Sequence, residues 1–277
     1  MLAPQTAYKV HDWDPFAIRF SDSFLIEGIR WYGIAYVLGF ITAALLLNLY
    51  YKRKRSPLGK EAQTNLITYI ILGTVVGGRI GYMLLYDFAS LLANPLSIFA
   101  VWNGGMASHG GMIGICVALI LFSRSHSIPF WKLTDIVVTL GPPGIFFGRI
   151  ANYINGELWG KVTTVPWAVI FHHSDGSLTA PRHPSQLYQA GLEGILLTVC
   201  VQLRFWLSSP DKRANGHITG EFLIAYAALR VIGEHFREPD AFVSLIFGLS
   251  RGTFYSLIMA VIGGIILYRA AKKNARS

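Results

Sequence analysis

Charge is what this sequence has least of. Asp, Glu, Lys and Arg make up 14% of its 277 residues, against roughly 25% in an average soluble domain. Acidic residues are the scarcer kind, 15 against 24 Lys and Arg. A chain this poor in charge does not have the composition of an ordinary water-soluble domain. Cysteine is scarcer still. Cys116 and Cys200 both lie inside apolar runs, where thiols behave as small hydrophobes, and no C-x-x-C pair exists. Also missing is a basic region at the start. The first thirty or so residues carry His11, Asp12, Asp14, Asp22 and Glu27, so a polar tail before the first apolar run is expected there and not a cleavable signal. G-x-S-x-G and H-E-x-x-H do not occur, so serine-hydrolase and zincin readings lack their nucleophile or metal. GELWGK at 156–161 is one residue short of a phosphate-binding loop and has Val162 where Ser or Thr is needed. His172, His173 and Asp175 match no metal-site spacing. No metal and no cofactor is expected. The net charge of +9 does not point to nucleic acid either, because the basic residues sit at the ends of apolar runs and form no basic patch.

What is present is long apolar sequence. Hydrophobic residues make up 53% of the chain and the mean hydropathy is +0.44. Segments able to cross about 30 Å of hydrocarbon occur at roughly 31–51, 66–86, 106–122, 133–150, 187–207, 219–237 and 250–268. They predict an all-α polytopic membrane protein of about seven helices, in one integral-membrane domain over 1–277. Basic residues set its orientation. About thirteen fall on one side: Lys52, Arg53, Lys54, Arg55, Lys60, Arg124, Lys132, Lys212, Arg213, Arg269, Lys272, Lys273 and Arg276. About six fall on the other: Lys9, Arg19, Arg30, Lys161, Arg182 and Arg251. This predicts an N-terminus outside, a C-terminus in the cytoplasm, an extracytoplasmic segment over 1–30 and a small extracytoplasmic cap over 151–184.

Small-xxx-small spacing at Gly73, Gly77 and Gly81, at Gly110 and Gly114, and at Gly144 and Gly148 predicts close helix approach among spans two to four. Pro142 and Pro143 should break the fourth span near its middle.

The ionisable residues inside the spans carry the functional signal, since each arginine there costs at least about 2.5–3.5 kcal/mol on insertion scales. Arg204 lies near a cytoplasmic end and is expected to snorkel. Arg79, Arg149, Arg230 and Arg237 fall in the outer halves of their helices. Tyr226, Arg230, Glu234 and Arg237 share one helical stripe. Against these four arginines stand Glu157 and Glu234. The excess calls for an anion, and a phospholipid phosphate is the natural one at that depth. In MASHGG, His109 has Gly110 and Gly111 beside it, which leave room for a substrate next to a side chain suited to take a proton at neutral pH.

Together these residues carry a resemblance. GRIANYINGELWG at 148–160 resembles the signature of the bacterial prolipoprotein diacylglyceryl transferases, and RWYG at 30–33, SHGG at 108–111, PRHPSQLY at 181–188 and YAALRVIGEHFREPD at 226–240 extend the likeness along nearly the whole chain. The resemblance implies an inner-membrane enzyme, its site toward the extracytoplasmic side. Such an enzyme moves a diacylglyceryl group from phosphatidylglycerol to the lipobox cysteine of exported preprolipoproteins, making a thioether and releasing glycerol phosphate. It implies His109, Arg230 and Tyr32 as catalytic residues. Phosphatidylglycerol would be bound by Arg149, Arg230, Asn152, Glu157, Gly160 and Tyr226, with Glu234, Arg237 and Arg79 in support. The chain departs from the pattern at Tyr153 (usually Phe), Gln189 (commonly Glu), His235 (usually Phe) and Ser250–Thr253 (commonly S-M-G-Q). A transporter or flippase of an anionic lipid is the rival class. It would be expected to show inverted repeats and polar groups at both membrane faces.

Overall fold

The computed structural model describes residues 8–21, 27–100, 104–173, 175–209, 213–239 and 246–274. Of the residues named above, Asp22, Lys212, Asp240 and Arg276 lie outside that description, as do the side chains of Ser108 and Lys273. In chain order the elements are β1 (Lys9–Val10), β2 (Phe16–Arg19), β3 (Gly28–Arg30), α1 (Trp31–Lys52), α2 (Lys60–Leu85), α3 (Phe88–Ala93) and a 3-10 turn (Pro95–Phe99). There follow α4 (Ser108–Ser125), α5 (Phe130–Val137), α6 (Gly141–Ile154) and β4 (Val169–Ile170). Next comes a helix in three parts: α7 (Ser185–Gln189), a π-helical stretch (Ala190–Leu196) and α8 (Leu197–Leu207). The last two helices are α9 (His217–Phe236) and α10 (Arg251–Asn274).

All seven apolar stretches fall on helices. Four helical stretches are long and apolar enough to cross a membrane: Trp31–Lys52, Lys60–Leu85, Ser185–Leu207 and Arg251–Lys272. Their apolar windows are only 11% to 33% buried. Leu45, Leu84, Ile195 and Val261 stand among many exposed large hydrophobic side chains on these stretches. In water such surfaces would aggregate; in hydrocarbon they are at no disadvantage. The chain is a multi-pass membrane protein.

The chain divides into two compact units, Met1–Ala43 with Val137–Ser277, and Ala44–Ile136. In the smaller unit α2 packs on α4. A Cβ on Gly73 would lie 2.6 Å from the Gly114 carbonyl oxygen, and one on Gly81 would lie 2.7 Å from Gly110 Cα, so the small-residue spacing of these two helices does bring their backbones together. The expectation for the fourth stretch needs correction. Gly144 faces Gly39 of α1, while a Cβ on Gly148 would meet nothing within 4 Å. The break falls near Pro142 and Pro143 as expected. The two prolines occupy the first turn of α6, where a missing N–H leaves no bond unmade.

In the larger unit α9 packs on α10 across another glycine pair: a Cβ on Gly220 would lie 2.9 Å from the Gly263 oxygen. Ser250 caps α10, its Oγ accepting the Thr253 N–H at 3.2 Å. Two short strand pairs qualify the all-α expectation. β1 runs parallel to β4, pairing Lys9 with Val169 and Val10 with Ile170, and β2 runs antiparallel to β3. Arg204 does not stand alone at its helix end. It holds Glu221 through Nε at 2.8 Å and Nη2 at 2.7 Å.

Candidate active site

The larger unit draws three arginines and two glutamates into one chain of ion pairs. Glu193 joins two of the arginines and is fully buried. Arg149 of α6 reaches one carboxylate oxygen through Nη2 at 3.0 Å, and Arg230 of α9 reaches the other through Nη1 at 3.2 Å. Arg230 Nη2 also holds Glu234 at 2.7 Å, and Arg237 Nη1 lies 3.9 Å from the same Glu234 oxygen. The helical stripe read from the sequence is therefore real, with Arg230 bridging two carboxylates. Sequence reasoning missed Glu193, and the expected excess of positive charge shrinks accordingly. What remains for a ligand is specific. Arg149 Nε is buried and has no hydrogen-bond partner among the described residues, and the buried Gln189 Nε2 has none either. Unmet buried donors are costly, and an arginine donor left open beside paired ones fits an incoming oxyanion.

Local winding places Glu193. It lies in the π-helical stretch, a winding that recurs at functional sites. Gly194 lets this stretch press onto α6, since a Cβ there would lie 2.6 Å from Phe146 Cβ. On the α9 side, a Cβ on Gly233 would come within 3.5 Å of Glu193 Oε1.

The signature loop closes beside this cluster at the end of α6. Asn152 is buried and donates through Nδ2 to Glu157 Oε1 at 2.8 Å. Gly156 takes a left-handed turn at φ +66°, and Leu158 follows at +57°, a conformation a non-glycine residue rarely adopts. The second motif holds it there. Ser185 Oγ donates to the Leu158 carbonyl at 3.0 Å and Gln186 Nε2 to the Glu157 carbonyl at 2.6 Å. Gly160 is hemmed in by backbone on two sides, since a Cβ would lie 2.5 Å from the His183 oxygen and 2.6 Å from the Phe236 oxygen. Its N–H donates to His183 O at 2.9 Å, and its carbonyl accepts from Arg182 Nη1 at 3.0 Å. Three sequence motifs are thus one folded object. The carboxylate of Glu157, assigned to head-group binding by resemblance, makes its visible bonds within the loop, to Asn152 and Asn155.

Tyr226 stands one helical turn before Arg230, near Glu193, Arg149 and Glu234. Tyr32, in the first turn of α1, packs its ring 5.6 Å from that of Tyr36. His109 and Arg79 belong to the smaller unit. His109 stands in the first turn of α4 and lines an apolar crevice of about 670 Å³ along α2 and α4. Arg79 is buried and gives its donors to backbone: Nε to Ile98 O at 3.1 Å, Nη2 to Ser97 O at 2.6 Å, and Nη1 to the carbonyls of Gly104 and Gly105. In this structure Arg79 pins the segment between α2 and α4. Among the described residues no group of three or more His, Cys, Asp or Glu could hold a metal.

Known proteins resemble this chain along most of its length. Residues 23–269 match the family described as prolipoprotein diacylglyceryl transferase. The chain is 43% identical over 250 residues to the phosphatidylglycerol–prolipoprotein diacylglyceryl transferase of Nitratidesulfovibrio vulgaris (strain DP4), covering 90% of this chain and 92% of the relative. It is 43% identical over 262 residues to the protein of the same name from Agrobacterium fabrum (89% and 90% covered). To that of Rhodospirillum rubrum it is 42% identical over 267 residues (93% and 96% covered). With the match running through both units and every motif above, this chain belongs to the prolipoprotein diacylglyceryl transferase family.

Proposed function

We propose that this protein transfers the diacylglyceryl group of phosphatidylglycerol to the lipobox cysteine of exported preprolipoproteins, the first step of lipoprotein maturation. Its place would be a bacterial inner membrane, crossed about seven times, with the N-terminus and active site on the extracytoplasmic side. The cysteine sulfur attacks the glyceryl carbon that bears the phosphate. A C–S bond forms, the C–O bond breaks, and glycerol phosphate departs with the electron pair and one more negative charge.

The observation that carries this reading is the open Nε of Arg149, on a guanidinium already oriented by a buried carboxylate. Arg149 and Arg230 stabilise the charge that grows on the leaving phosphate. Fixed donors of this kind are worth roughly 10²- to 10³-fold in rate. Tyr226 and Tyr32 serve as hydrogen-bonding groups for the head group. Asn152, Glu157 and Gly160 keep the loop in shape around it, while Glu234 and Arg237 hold Arg230 in position. The thiol proton goes to His109, since a thiol of pKa about 8.5 is mostly protonated at neutral pH. A transferase, not a lipid transporter, is what the family supports.

The test uses purified protein, phosphatidylglycerol and a lipobox peptide. The expected result is a peptide heavier by one diacylglyceryl group, with release of glycerol phosphate. A peptide with Cys→Ser that reacts equally well, or transfer unaffected by Arg149→Ala, refutes the assignment.

A further inference from the structure

Gln189 ends α7, where the winding passes into the π-helical stretch. Its amide is neutral at every working pH, and the residue is only 1% exposed. Its Nε2 meets no acceptor among the described residues. An amide donor buried without a partner destabilises a fold, so one that persists in a native protein points to a partner from outside the chain. The surroundings show which kind. α9 approaches through Gly233: the point where a Cβ on that glycine would sit is 3.9 Å from Gln189 Nε2 and 3.5 Å from Glu193 Oε1. Gln189 Nε2 therefore lies close to the carboxylate that holds Arg149 and Arg230. The two oxygens of that carboxylate are each engaged by an arginine. Arg149 Nε and Gln189 Nε2 are both left open around it. The charges fit the same ligand. Three arginines and two glutamates make up the ion-pair chain, which leaves one positive charge, opposite to the single negative charge of a phosphodiester. Gln189 adds a donor without altering that balance.

We propose that Gln189 is a further substrate-binding residue, whose Nε2–H donates to an oxygen of the phosphate that Arg149 and Arg230 hold. The proposal rests on phosphatidylglycerol occupying this site. Gln189 stands where the chain departs from the pattern it otherwise resembles, and the resemblance assigns it no role. The bond it makes to the lipid is one it does not make within the fold. Removing the donor therefore weakens the hold on the lipid and leaves the empty protein at least as stable, a combination that separates a binding group from a structural one.

The experiment compares the full-length wild type with Gln189→Met and Gln189→Leu, which keep the bulk of the side chain and remove its donor. Transfer to a lipobox peptide is measured while phosphatidylglycerol and peptide are varied in turn, and each protein is melted in detergent without lipid. In both variants the KM for phosphatidylglycerol is expected to rise roughly tenfold or more, as for a lost hydrogen bond to a charged group. The KM for the peptide should not move, kcat should change less than the lipid KM, and the melting temperature should be no lower than that of wild type. If one variant does not fold, the other carries the comparison. A lower melting temperature in every variant that folds, or the failure of both to fold, makes the amide part of the fold and overturns the proposal. An unmoved lipid KM, or a rise confined to the peptide KM, overturns it too and leaves the transferase reading standing. Should the wild-type protein transfer nothing, the transferase reading fails. Binding of a fluorescent phosphatidylglycerol then decides the role of Gln189: weaker binding by the variants supports it, and equal binding overturns it.

Discussion

Gly252 stands directly against the carboxylate of Glu234: a single added methyl would lie 2.6 Å from Glu234 Cδ and the same distance from Oε1. The first turn of α10 therefore helps to keep Glu234 on Arg230. Gly252→Ala should force the carboxylate off its 2.7 Å contact, lower transfer by at least about tenfold, and cost about 1–3 kcal/mol through overpacking. Activity and a thermal melt in detergent measure both, and a wild-type result in both would show that the turn gives way freely.

Glu193 is shared by two arginines and has no access to solvent. Removing one partner of a buried charge pair typically costs about 3–5 kcal/mol, so Glu193→Gln should unfold far more easily than wild type. Adding Arg149→Met to that variant should restore part of the stability and none of the activity. Denaturant titration of the single and double variants gives the comparison.

Arg79 spans carbonyls at Ser97, Ile98, Gly104 and Gly105. A lysine ammonium is a compact point charge and cannot cover that spread. Arg79→Lys is expected to destabilise despite the unchanged charge, by about 1–3 kcal/mol for the carbonyls left unmet. Faster proteolysis between α2 and α4 would report it.

His109→Gln tests the base directly. Transfer should fall by roughly 10²- to 10⁴-fold near neutral pH and recover as the pH approaches that of thiol ionisation. A variant that keeps full activity at neutral pH removes His109 from that role.

His11 gives the fold a pH dependence. Burial holds its pKa below the ordinary 6.5, with His172 adding to the effect, while Asp12 and a backbone bond at Tyr153 oppose it. The ring lies 5.2 Å from that of Tyr153 and 5.3 Å from that of Phe171. The unfolded chain thus binds the proton more tightly than the folded one. The contribution is full above 6.5 and is lost as pH falls through 6.5 toward the depressed folded value. Protection of the His11 amide, bonded to Ile170 O at 2.8 Å, should decline as pH falls below 6.5, and His11→Phe should abolish that decline.

Much of this was legible in the sequence because membrane helices announce themselves locally. The seven apolar stretches, the proline break, the α2 and α4 glycines and the Tyr226–Arg237 stripe all follow from spacing along one helix. Glu193 did not. It is a lone acid in a mostly apolar run whose winding departs from 3.6 residues per turn, so no helical stripe pairs it with a cation, and its partners lie 44 and 37 residues away. The Gly148 expectation failed for a related reason: spacing shows that a face is small, and only packing shows what lies opposite. Strands β1 and β4, two residues each, are too short to leave any periodic trace.

The pairing of β1 with β4 has a consequence for how the protein folds. Lys9 pairs with Val169, and the Tyr8 hydroxyl reaches the Thr164 carbonyl, so each contact closes a loop of about 160 residues. Closing so long a loop is slow relative to local helix formation. The strand pair that borders the loop carrying Asn152, Glu157 and Gly160 therefore forms late in folding, after the local helices.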